Sequence, residues 1–74
     1  MELSAFLKEK RKQTYLTQQD LAEKAGVGLR FVRELEQGKT TLRIDKVNQV
    51  LRLFGHELSP TEMDREKLLN YETR

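Results

Sequence analysis

The 74-residue sequence has no cysteine, one histidine (His56), one proline (Pro60) and no apolar run longer than three residues. Without cysteine, neither a disulfide nor a thiolate–metal cluster can hold so short a chain together. A lone histidine among scattered carboxylates supplies no nucleophile–base pair and no metal-ligand spacing. Neither an enzyme nor a metal or cofactor site is therefore expected. The short apolar runs exclude a transmembrane helix and a signal-peptide core, which points away from a membrane partner and towards a cytoplasmic location. At 8.7 kDa, one domain burying about 60% of its unfolded surface is the limit. Stability must then come from ideal local structure, a tight core or a second subunit.

What is present is charge, unevenly placed. The net charge of +2 divides into two parts: residues 1–56 carry 11 basic and 7 acidic side chains, an excess of +4, and residues 57–74 carry 3 and 5, a balance of −2. A basic front part with an acidic tail fits a polyanion-binding domain followed by a segment with another task, although ordinary surface scatter gives the same sum.

The apolar spacing divides the chain into short helices punctuated by glycine. Leu3, Phe6 and Leu7 mark a first helix, with Glu2 or Ser4 at its start and Lys8, Lys10, Arg11 and Lys12 crowding its end, where the helix dipole favours cations. Thr17 opens a second, with Asp20 in the place of the usual capping-box Glu or Gln, and Gly26 fits a left-handed C-cap. Gly28 starts a third, with Phe31, Val32 and Leu35 apolar and Gly38 at its close. Ile44, Val47, Val50, Leu51 and Phe54 form one stripe of a fourth, ending at Gly55. His56–Ser59 reads as a short extended piece. Residues 60–74 form an acidic tail, helical from a Thr61 cap with Met63, Leu68, Leu69 and Tyr71 apolar, or disordered. The sequence thus predicts an all-α fold of four to five helices, with a domain over residues 1–59 and the fifth helix, where formed, in the tail. The second and third helices, joined by Ala25–Gly28, have helix-turn-helix spacing, in which the later helix enters the DNA major groove.

Several stretches carry a closer likeness: Lys10-Arg11-Lys12, Leu16-Thr17-Gln18-Gln19-Asp20-Leu21-Ala22-Glu23-Lys24-Ala25-Gly26-Val27 and Leu35-Glu36-Gln37-Gly38-Lys39. Together these resemble the Xre/Cro/phage-repressor helix-turn-helix family, over about residues 3–55. The continuation from Thr41 to Val47 and from Val50 to Gly55 resembles the HipB-like antitoxin subgroup. The likeness implies a lambda-repressor-like domain followed by a short C-terminal strand that pairs across a dimer. His56–Ser59 stands where that strand would lie, and Leu51, Phe54, His56, Glu57 and Leu58 are the implied dimerisation residues.

Position by position, the likeness assigns Gln18 to a DNA phosphate and to bracing the reading helix, roles that its amide donors and acceptor both allow. Gly28, Leu29, Arg30, Arg33 and Glu34 fall where the family reads bases. Arg30 or Arg33 can pair bidentately with guanine or grip a phosphate, and Glu34 can accept from cytosine or pair with Arg30 one turn back. Leu29 replaces a usually polar residue and can touch a thymine methyl. Gly28 stands where Ser or Thr is commoner, and Tyr15 where Gly or Asn is frequent. Gln19, Gln37, Lys39, Thr40, Thr41 and Arg43 fall along the phosphate backbone, and a solvated basic loop is the plainer reading of the last four. Arg11 and Glu36 match a structural ion pair. The expected function is a dimeric, sequence-specific repressor on an inverted-repeat operator of double-stranded DNA. The subgroup implies an autoregulating antitoxin of a type II pair, with a HipA-like kinase toxin as partner. A free-standing Xre-family regulator without a toxin is the alternative.

Overall fold

A computed structural model describes residues 2–63 and contains four helices among them: α1 (Leu3–Gln13), α2 (Gln18–Ala25), α3 (Leu29–Glu36) and α4 (Ile44–Leu53). The fifth helix expected from Thr61 falls mainly on residues 64–74, outside the described residues; Thr61–Met63 are not helical.

Local chemistry sets most boundaries. At the start of α2 the capping box is closed in both directions: the Asp20 N–H donates to Thr17 Oγ1 at 3.0 Å and the Thr17 N–H donates to Asp20 Oδ2 at 3.0 Å. The bond from the Thr17 N–H, the larger cause, holds the Asp20 carboxyl below its ordinary value, and the shorter acid closes the box that Glu or Gln usually closes. The C-cap of α2 is Gly26 at φ +74°, a left-handed conformation in which a Cβ is strained. Gly28 is the N-cap of α3 and Glu2 that of α1, both without a side-chain cap bond.

Tyr15 has φ +58° and is 94% exposed. The turn after α1 thus needs a left-handed residue, the physical reason Gly or Asn suits it. A side chain there costs about 1–2 kcal/mol and recovers nothing by burial. Tyr15→Gly is therefore expected to raise the unfolding free energy by about 1 kcal/mol, read as a higher urea midpoint at unchanged slope.

The core consists of Leu7, Leu21, Ala22, Val32, Leu35, Val47, Val50 and Leu51, one to three from each helix. α2 lies against both α3 and α4, and α1 against α3. Leu51, expected at a subunit contact, is instead 3% exposed inside the protomer core. The α4 stripe also differs at its first residue. Ile44 is 67% exposed because the helix starts before it reaches the core. It lines a shallow groove with Leu3, Leu42, Val47 and Leu58.

Residues 56–63 have no regular secondary structure. Their first part is tied back to the helices. The His56 N–H donates to Leu51 O at 2.9 Å, the His56 ring meets Phe6 edge to face at 4.9 Å, and the Leu58 N–H donates to Asn48 Oδ1 at 2.8 Å.

Candidate nucleic-acid interface

The third helix has two chemically distinct sides. Val32, Leu35 and Glu36 are buried, whereas Arg30, Arg33 and Gln37 are exposed and Glu34 is half-buried. The outward residues fall at i, i+3, i+4 and i+7, a single polar stripe along one helix face. Leu29 does not join it fully: it is half-buried and packs against the core, which explains an apolar residue there without any appeal to a thymine methyl.

The helix is braced from behind. Arg11 donates to Glu36 through Nε at 2.7 Å to Oε2 and through Nη2 at 3.0 Å to Oε1, and its Nη1 donates to Leu16 O at 2.9 Å. Gln18 Nε2 donates to Glu36 Oε1 at 3.2 Å. The carboxylate is 2% exposed and the Arg11 side chain 15%, so one buried acid ties the end of α3 to α1 and to the start of α2. Among the described residues no buried side-chain polar atom lacks a partner. The end of α2 is held separately, where Gln49 Nε2 of α4 donates to Ala25 O at 3.4 Å. That bond occupies a carbonyl the helix terminus leaves without an intrahelical partner, and the apolar spacing of α4 gave no sign of it.

Two short helices joined at Gly26–Gly28, the second with an outward polar stripe and a buried acid at its base, form a helix-turn-helix unit. A family profile described as helix-turn-helix matches residues 7–60. An uncharacterized HTH-type transcriptional regulator, y4mF, of Sinorhizobium fredii (strain NBRC 101917 / NGR234) is 48% identical over 54 residues, 73% of this chain and 71% of the relative. The chain belongs to the helix-turn-helix family.

In this helix-turn-helix protein the remaining expected contact residues surround the α3 stripe or follow it in the chain. Gln18 is half-buried by its bond to Glu36, while Gln19 is exposed and donates to Glu23 Oε1 at 3.1 Å. Lys39, Thr40, Thr41 and Arg43 are all exposed in the segment between α3 and α4. Arg43 donates to Asp45 at 3.1 and 2.6 Å, and the guanidinium holds the Asp45 carboxyl below its ordinary value.

Glu34 has two cationic partners. Arg30 Nε donates to Oε1 at 3.3 Å and Lys39 Nζ to Oε2 at 3.2 Å. The Lys39 ammonium first, then Arg30, hold the Glu34 carboxyl below its usual range. Helical spacing reveals the Arg30 pair; the Lys39 pair depends on how the chain leaves α3. Of the implied dimerisation residues, Phe54 is half-buried against the core, and His56, Glu57 and Leu58 are exposed. Among the described residues no helix is long and apolar enough to cross a membrane.

Proposed function

We propose that this helix-turn-helix protein is a sequence-specific, DNA-binding transcriptional repressor that inserts α3 into the major groove. The observation that carries this reading is the stripe of exposed Arg30, Arg33 and Gln37 with half-buried Glu34, on a helix whose opposite side is fixed by the Arg11–Glu36–Gln18 cluster. An exposed guanidinium on a rigid helix has the fork geometry that reads guanine O6 and N7. Gly28 and Leu29 bring the start of the helix close to the bases. Gln18, Gln19, Gln37, Lys39, Thr40, Thr41 and Arg43 hold the phosphates on either side.

The reading extends to a homodimer on an inverted repeat, with half-sites about one helical turn apart. Exposed Leu53 and Leu58 beside half-buried Phe54 support an apolar subunit contact at the end of α4, with His56–Ser59 pairing across the two-fold axis. In such a dimer Lys39 and Arg43 supply four cations, which should contribute about −3.6 to the log–log salt slope. Footprinting on the tightest duplex recovered from a randomised pool should show two protected half-sites related by symmetry. A single asymmetric footprint, or affinity indifferent to salt, overturns the reading.

The resemblance over residues 41–55 supports a narrower role, the antitoxin of a HipA-like kinase, with residues 61–74 contacting the toxin or the second subunit. Removing 61–74 distinguishes the possibilities. If toxin neutralisation is lost while DNA binding persists, the tail is a toxin contact. If no kinase is encoded beside the gene, the protein is a free-standing regulator.

A further inference from the structure

The α3 stripe contains an acid where a surface built only for phosphate would have none. Glu34 accepts from Arg30 at 3.3 Å and from Lys39 at 3.2 Å, so one carboxylate engages two of the cations available to a polyanion. The Arg30 side chain is 91% exposed and that of Lys39 45%, whereas that of Glu34 is only 26% exposed. The acid is the least exposed of the three, with one cation bonded to each of its oxygens.

We infer that Glu34 is a specificity-determining residue that holds Arg30 and Lys39 away from phosphate until a base-edge amino group takes over the carboxylate. The inference rests on the proposed insertion of α3 into the major groove. On arbitrary DNA the two cations stay with Glu34, because releasing them leaves a bare carboxylate facing the phosphate backbone, and like charges brought together in an interface are strongly unfavourable. At the right step, the N4 amino group of cytosine or the N6 amino group of adenine donates to Glu34. The carboxylate is then satisfied by the base, and Arg30 and Lys39 turn to guanine or to phosphate. The acid thereby weakens the wrong complexes more than the right one, and such a repulsive element is an effective source of discrimination.

Glu34→Gln keeps the shape and removes the charge. It is tested on a random-sequence duplex and on the tightest duplex recovered from a randomised pool, each over a range of salt. On random DNA the variant should bind more tightly than the unaltered protein, with a salt slope steeper by about 1.8 for each bound subunit, from two released cations. Lowering the salt from about 200 to 50 mM should then widen its advantage by about tenfold per subunit. On the selected site its affinity should fall or stay level, so the ratio of specific to random binding collapses. Lys39→Met should cost more random-DNA affinity in the Glu34→Gln background than alone, because only there is the ammonium free. If Glu34→Gln leaves random-DNA affinity and slope unchanged while the unaltered protein still prefers its selected site, the inference falls and the proposed function stands. If the unaltered protein binds no duplex even at low salt, the proposed function itself fails. Thermal melting of both variants checks that the fold is retained.

Discussion

Arg11→Ala is expected to lower the unfolding free energy by about 3–5 kcal/mol, the loss typical when one partner of a buried ion pair is removed. The residue left behind decides the size. The Glu36 side chain is 2% exposed, and without Arg11 the one side-chain donor left to it among the described residues is Gln18 at 3.2 Å. A buried carboxylate with one neutral donor must protonate, take up water or unfold its surroundings. A domain of this length has in total only about 4–11 kcal/mol to lose, so the variant should be substantially unfolded or melt far below the unaltered protein. Chemical denaturation followed by circular dichroism reads the difference directly. Replacing both partners by apolar side chains, Arg11→Met with Glu36→Leu, should recover most of the loss, because it removes the buried charge together with its partner. A single mutant as stable as the unaltered protein would show that the pair does not hold α1 and α3 together.

The second large effect is on binding and should leave the fold intact. The double variant Arg30→Ala, Arg33→Ala is expected to lose about 2–6 kcal/mol of affinity for the selected duplex, roughly thirty-fold to twenty-thousand-fold. Both side chains are exposed and contribute nothing to the core, so melting should barely change. The single variants separate the two roles the sequence left open for these arginines. A base-reading arginine relaxes preference at one position of the site when removed, whereas a phosphate-binding one weakens all sequences about equally and lowers the salt slope by about 1. Unchanged affinity and specificity in the double variant would remove α3 from the reading role altogether.

The elements were legible in the sequence because their signals are local. The Thr17–Asp20 cap, Gly26 as a left-handed terminator and the apolar spacing of Val32 and Leu35 each act within one or two helical turns. The Arg11–Glu36 pair lies 25 residues apart in the chain and was legible for a different reason, through resemblance rather than any local pattern. Tyr15 shows the converse. The resemblance marked it as unusual, but only its positive φ explains why.

Leu51 and Ile44 fall on the same apolar stripe of α4, yet one is buried within the protomer and the other is 67% exposed. Periodicity reports which side of a helix is apolar but not where along its axis the neighbouring helices end. The resemblance placed Leu29 among the base-reading residues, and the packing of the motif holds it half-buried against the core.

The sequence by itself determined the four helices, the caps at both ends of α2 and the apolar spacing that leaves a polar stripe on α3, because each follows from interactions between residues a few positions apart. Only the tertiary structure decided which charges are available on that stripe. Glu34 and Lys39 are brought within 3.2 Å by the turn that ends α3, and Gln18 is brought to Glu36 by the packing of α2 against α3. Charge availability depends on distances between elements, which the order of residues specifies only through the complete fold.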